Sequence, residues 1–420
     1  MIKKIIKYIL LTLLLLLIIS YFIPSSKVDF FKEYTQKDQA SKSLKEFQSR
    51  KLKTIKIDDV NWNYYSGGKG NKTILFAHGM GGAYDLWWQQ INAFENNYKV
   101  ISYSLPEEIN NLEQTSKGIL QILETEKVNT FYLVGTSMGG YISQYLIKKI
   151  PNRIEKVVFG NTFPPNDLIL KKNKKKSAII PLLPEILISK FGEKKLKKEL
   201  IPAAKNSKLL AAFLPSLPFS KTQFINRYAV VTDKFTINPS INVIKRIPKL
   251  IIESDNDPLV EYTLREEIKQ LYPSANVFTF NKEGHFPYIN VAATYNKVLE
   301  EFFNKKNEFS EVEKIIQNYF DGRKNANLSL LRNVFSEEAK LYTVKDGKEL
   351  VITLKEYFTK VKTDGVKEAK TSILSGNITN NIANFKTEFV YVDKTYQDYL
   401  TLLKTDKGWK IITKTFTKIK

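Results

Sequence analysis

The chain has no cysteine in 420 residues, only two histidines, and only seven arginines among its 65 basic residues. Each scarcity excludes something. Without cysteine there are no disulfides, no thiolate metal sites and no cysteine to carry a lipid at an exported N-terminus. Two histidines are too few for a histidine-rich metal cluster, so neither metal nor cofactor is expected. Any general base of the imidazole type must be His78 or His285. The formal net charge of +22 is carried by lysine. Nucleic-acid binding usually shows an arginine-bearing patch with interleaved aromatics or a known module, and neither is present. The lysine runs therefore read as solvated faces, and no nucleic-acid partner is expected.

What the chain does have is the pentapeptide Gly135-Thr136-Ser137-Met138-Gly139. It follows the apolar run Phe131-Tyr132-Leu133-Val134 and precedes the helical pattern of Tyr141-Ile142-Ser143-Gln144-Tyr145-Leu146-Ile147. Strand, tight turn with flanking glycines, then helix is the setting of a nucleophile elbow. The serine hydroxyl projects from the sheet edge, and the helix N-terminus favours negative charge beside it.

His285 comes late, in Gly284-His285-Phe286-Pro287-Tyr288, after a strand-like segment. Between it and Ser137 lies Leu250-Ile251-Ile252-Glu253-Ser254-Asp255-Asn256-Asp257-Pro258, a strand ending in two candidate carboxylates. Both aspartates also read as helix caps. His78 lies in Ala77-His78-Gly79-Met80-Gly81-Gly82, directly after another apolar strand, and reads as a loop histidine.

The order Ser137, aspartate, His285 resembles that of the α/β-hydrolase superfamily, over residues 51–305. The resemblance implies Ser137 as nucleophile, His285 as base and Asp257, better matched than Asp255, as the residue that orients the imidazole. The His-Gly pair at 78 and 79 matches an oxyanion loop, which implies that the backbone N–H groups of Met80 and Met138 stabilise the oxyanion. Leu271-Tyr272-Pro273-Ser274-Ala275-Asn276, Gly160-Asn161-Thr162-Phe163 and the His285 motif resemble the maspardin branch. Some of its members lack the histidine and act as binding modules, whereas this chain keeps His285.

Strands alternating with helices predict an α/β fold, a mostly parallel sheet covered on both faces. From about 163 to 246 the pattern turns helical and proline-punctuated, which in this family implies a cap over the site. Residues 1–25 begin with lysines and continue as an apolar run from Tyr8 to Ile23. They predict a signal anchor with a membrane helix, single-pass, with the enzyme on the extracytoplasmic side. The alternative is a cleaved export signal and a secreted or periplasmic protein. Residues 26–50 read as a linker.

Beyond the charged break at 304–308 the pattern becomes helices followed by strands, an α+β domain over 309–420. Glu313-Lys314-Ile315-Ile316-Gln317-Asn318-Tyr319-Phe320-Asp321-Gly322, together with Tyr399-Leu400-Thr401-Leu402-Leu403-Lys404 and Gly408-Trp409-Lys410-Ile411-Ile412, resembles the nuclear transport factor 2-like fold. The likeness is to its lumazine-binding branch, and implies a cone whose pocket binds a small molecule or supports a homodimer. Asp321, Tyr342 and Tyr399 are the pocket candidates. The expected function is a membrane-anchored serine hydrolase of carboxylic esters, lipid-like or aromatic. The alternative is a catalytically silent maspardin-like binding protein.

Overall fold

The computed structural model describes residues 2–25, 28–240 and 242–419. Met1, Ser26, Lys27, Ile241 and Lys420, which fall in the expected anchor, linker, cap and C-terminal domain, lie outside the described residues. The chain divides into two compact units, residues 1–304 and 305–420.

The first unit is built on eight strands: β1 (Lys53–Ile57), β2 (Val60–Gly68), β3 (Thr73–Ala77), β4 (Lys99–Tyr103), β5 (Phe131–Thr136), β6 (Ile154–Gly160), β7 (Lys249–Ser254) and β8 (Asn276–Phe280). They lie in the order β1-β2-β4-β3-β5-β6-β7-β8. β1 and β2 form a hairpin closed by Asp58 and Asp59, both at positive φ, a turn whose twist suits paired strands. From β4 onward every pairing is parallel. β3, β5 and β7 are buried along their whole length, as strands must be when helices cover both faces. Alternate residues feed opposite layers: Leu75 and Ala77 join Ile119, Ile122 and Leu123 on one side, whereas Ile74 and Phe76 join Trp87, Tyr295 and Leu299 on the other.

Two expectations for the N-terminal region are corrected. The helix Ile2–Ser20 forms, but three of its first six residues are lysines. The apolar part from Tyr8 to Ser20 is about 20 Å long at 1.5 Å per residue, against a hydrocarbon core of about 30 Å. Among the described residues no helix is long and apolar enough to cross a membrane. The transmembrane anchor is therefore not supported. The segment expected as a linker carries the helix Gln39–Gln48, whose Leu44 and Phe47 are fully buried in the core beside Trp88. It is part of the domain.

Between β6 and β7 the chain forms the helices Leu168–Ile179, Glu185–Lys195, Lys208–Ser216 and Lys221–Thr232. They occupy the stretch that the sequence reads as helical, and are called the cap below.

The second unit opens with helices Glu308–Lys324 and Leu328–Val334, followed by β9 (Phe335–Lys345), β10 (Lys348–Thr353), helix Leu354–Asp364, β11 (Lys370–Thr379), β12 (Ile382–Val390), β13 (Thr395–Thr405) and β14 (Gly408–Lys418). Strand order is β10-β9-β14-β13-β12-β11, antiparallel except for the parallel β14/β9 pair. The β9–β10 hairpin is absent from the sequence reading. Its Asp346-Gly347 turn, at φ 50° and 75°, is a hairpin signal that could have revealed it.

Of the pocket candidates, Tyr399 is 51% exposed and so faces outward, while Asp321 and Tyr342 are half-buried. A strand alternates faces, so Asp398 is the inward residue. It accepts from Tyr319 at 2.6 Å and lies 3.2 Å from the buried Lys414 ammonium.

Candidate active site

Ser137 sits between the end of β5 and the helix Met138–Lys149, at φ 53° and ψ −120°. A left-handed serine is strained, and here surrounding contacts impose it. Its N–H donates to Gly160 O at 2.9 Å, and its carbonyl accepts from Thr162 Oγ1 at 2.6 Å. The two glycines of the pentapeptide are required by space. A Cβ on Gly135 would lie 2.2 Å from Gly139 O, and one on Gly139 would lie 2.0 Å from Ala77 O. The strand, the elbow and the His78 loop are thereby drawn together, with the Gly79 position packed against the Ser137 side chain.

His285 and Asp257 come together although 28 residues apart. Imidazole Nδ1 lies 2.8 Å from Asp257 Oδ2 and 3.0 Å from Oδ1, and both residues are buried. The rest of the carboxylate is also satisfied. Asn161 Nδ2 donates at 2.9 Å, and the N–H groups of Leu259 and Val260 donate at 2.8 and 3.2 Å. Burial alone would raise the Asp257 carboxyl. The facing His285, the Asn161 amide and the Leu259 N–H outweigh it and hold the group below the ordinary carboxylate value. An ionised acceptor fixes the Nδ1–H tautomer and leaves Nε2 free to take a proton. Asp255 is placed differently: it is exposed and accepts from the Lys282 N–H at 2.7 Å. No hydrogen bond joins Ser137 Oγ to His285 among the described residues.

His78 has both ring nitrogens occupied. Nδ1 lies 2.7 Å from Gly79 O, and Nε2 accepts from the Leu105 N–H at 2.9 Å. Burial, helped by the nearby Arg227 guanidinium, pulls its pKa down to about 3. It is a neutral structural brace that shapes the loop carrying Met80.

Two residues at this site are absent from the list of candidates read from the sequence. Asn161, at the end of β6 with φ 40°, links the elbow side of the sheet to Asp257. Arg227, in the cap helix Lys221–Thr232, is 1% exposed. Its Nη1 donates to Met80 O at 2.7 Å and Gly82 O at 2.8 Å, and its Nη2 donates to Leu105 O at 2.9 Å. Burial lowers its pKa to about 10, with Tyr103 and Glu107 pulling the other way. It remains a cation. A separate part of the cap touches the aspartate and histidine loops: Asn256 Nδ2 donates to Ala203 O at 2.7 Å, and Lys205 pairs with Glu283. The cap is thus tied to both loops that flank the serine. Among the described residues no group of three or more histidine, aspartate or glutamate side chains is placed to hold a metal ion.

The comparisons with known proteins divide along the same boundary. The family described as "alpha/beta hydrolase fold" matches residues 72–197, and that described as "Putative lumazine-binding" matches residues 307–417. The chain is similar to 3-oxoadipate enol-lactonase 2 of Acinetobacter baylyi, at 28% identity over 118 residues, covering 26% of this chain and 44% of the lactonase. Less than half of that relative is therefore spanned. It is also similar to maspardin of Mus musculus, at 24% identity over 257 residues, 58% of this chain and 80% of maspardin. Among solved structures, the enol-lactonase from Burkholderia xenovorans LB400 superposes with a TM-score of 0.52 at 17% identity, over 60% of this chain and 100% of that one. At this identity the likeness speaks for the fold. The first unit therefore carries an α/β-hydrolase domain with maspardin among its homologues, and the second is a nuclear transport factor 2-like domain of the lumazine-binding family.

Proposed function

We infer that the protein is a serine hydrolase acting on carboxylic esters. The observation that carries this reading is the buried His285–Asp257 pair, its carboxylate fully hydrogen-bonded, at the same sheet edge as a strained serine. In the proposed cycle Ser137 Oγ attacks the ester carbonyl as its proton passes to His285 Nε2. The N–H groups of Met80 and Met138 stabilise the negative oxygen of the tetrahedral intermediate. Collapse expels the alcohol, which takes the proton from His285 and leaves an acyl group on Ser137. Water, deprotonated by His285, then attacks the acyl carbonyl and releases the acid and free Ser137. Asp257 remains ionised throughout and holds the imidazole.

A catalytically silent binding role is the weaker reading. A protein with no proton to move has no need to bury a satisfied carboxylate against an imidazole. The test is covalent labelling of the full chain by a fluorophosphonate probe, with Ser137→Ala and His285→Ala as controls. Labelling lost in both variants is the expected result. A folded wild-type protein that does not label would overturn the enzyme reading.

A further inference from the structure

We propose that the cap bears a lipid-contact face, continuous with the N-terminal helix, that docks on an anionic membrane surface. The inference does not depend on the hydrolase reading, because it rests on the outer side of the cap.

The first observation is where the N-terminal segment lands. Tyr21 donates its hydroxyl to Leu182 O, and Ser25 binds Glu185 Oε1 through its N–H at 3.3 Å and its hydroxyl at 2.9 Å. Lys221 seals the junction. Its ammonium lies 5.6 Å from the centre of the Tyr21 ring and 2.9 Å from Leu183 O. The helix Ile2–Ser20 therefore leaves the domain at the cap.

The second observation is what the junction exposes. Phe22 is 82% exposed, Leu182 69%, Phe191 61% and Ile179 54%. The cap helix Leu168–Ile179 has no buried residue at all, and Glu185–Lys195 has only Ile188. The N-terminal helix shows the same openness, with Leu11, Leu15 and Leu16 each about half exposed. Large apolar side chains left exposed on segments that meet at this junction call for a cover.

Charge selects the cover. Residues 171–198 hold ten lysines against two glutamates, and one of those, Glu185, is already engaged by Ser25 and the Lys221 N–H. Lys171 and Lys172 pair with Asp167 and Glu261, whereas Lys174, Lys175 and Lys176 stand exposed. A second copy of the chain would set this lysine field against itself. Anionic headgroups complement it, each lysine near the surface adding to the attraction. Lysine stems also lie along apolar surface while their ammonium groups reach the phosphates. The short apolar stretch of the N-terminal helix supplies one membrane signal and the cap face a second, which together give stable attachment where one is marginal.

The experiment is flotation of the full chain with vesicles of phosphatidylcholine alone or with 30% phosphatidylglycerol, at low and high salt. The wild type is expected to prefer the anionic vesicles by about tenfold or more, and to lose that preference at high salt. The variant Lys174→Glu/Lys175→Glu/Lys176→Glu is expected to bind both vesicles equally. Leu182→Ser/Phe191→Ser is expected to weaken binding to both. Fluorophosphonate labelling and melting temperature, unchanged in these variants, separate a docking defect from a folding defect. Wild-type binding that ignores lipid charge overturns the proposal. So does a charge-reversed variant that binds as the wild type does. Concentration-dependent dimers lost in Leu182→Ser/Phe191→Ser, with flotation unchanged, would assign the face to a second copy and equally overturn it.

Discussion

Arg227 Nη1 donates to the carbonyl of Met80 at 2.7 Å, so a cap residue holds the peptide whose N–H is proposed to stabilise the oxyanion. Arg227→Ala removes donors from three carbonyls and leaves the loop free to move. A kcat lower by about 10- to 100-fold with little change in KM is expected, because a displaced oxyanion donor costs transition-state stabilisation. Steady-state kinetics on a p-nitrophenyl ester checks it. A change in KM alone would mean that Arg227 acts on substrate binding through the cap.

The two aspartates after β7 are expected to separate sharply. Asp257→Asn offers His285 an amide that favours the wrong tautomer, and kcat is expected to fall by a factor on the order of 10⁴. Asp255→Asn, at an exposed carboxylate bonded to a loop N–H, is expected to stay within about twofold of wild type. Parallel assays of the two purified variants decide it.

Ser137→Gly is expected to inactivate and stabilise together. Glycine adopts φ 53° and ψ −120° without the Cβ penalty, so removing the strain is worth about 1 kcal/mol. Chemical denaturation of wild type and variant measures this. A variant less stable than wild type would mean that the serine hydroxyl contributes more to packing than its backbone costs.

His78 predicts an acid-sensitive fold. Its folded pKa near 3 lies below the ordinary 6.5, so the unfolded chain binds the proton first. Stability is therefore present above about pH 6.5 and is lost as pH falls toward 3. Between pH 7 and pH 5 the loss from this group is about 2 kcal/mol. In His78→Gln, whose side chain does not titrate but still offers an acceptor to the Leu105 N–H, that share of the pH dependence is expected to vanish. Equal slopes in wild type and variant would sink the assignment.

The reach of the sequence follows the range of the interactions. Ser137 was legible because an elbow is local: strand, two glycines and helix are contiguous. His285 was legible by elimination in a chain with two histidines, and the β1–β2 hairpin by its alternation. Choosing Asp257 over Asp255 needed a resemblance, because two carboxylates two residues apart look alike until burial separates them. Arg227 was out of reach, since its partner Gly82 lies 145 residues away and no local pattern marks it. Asn161 stood in a recognisable tetrapeptide, but nothing local showed its bond to Asp257, 96 residues on. The one clue to Arg227 was an arginine in a chain that otherwise uses lysine. The strand β9 was hidden by its charged residues Glu337, Glu338, Lys340 and Lys345, all of them exposed. The N-terminal helix misled because its lysines lie within the helix, which shortens the apolar part.

The Arg227 clamp also bears on how this scaffold can change. Caps of such enzymes are natural places to graft new specificity, because they are single insertions between two strands. Here the insertion contributes the guanidinium that binds the carbonyls of Met80, Gly82 and Leu105 beneath it. A chimera with a foreign cap would inherit the serine, the histidine and the aspartate and still lack the brace on the loop that carries Met80. Recombination would have to carry an arginine at this position, or evolve a new brace from within the sheet, before altered specificity became visible.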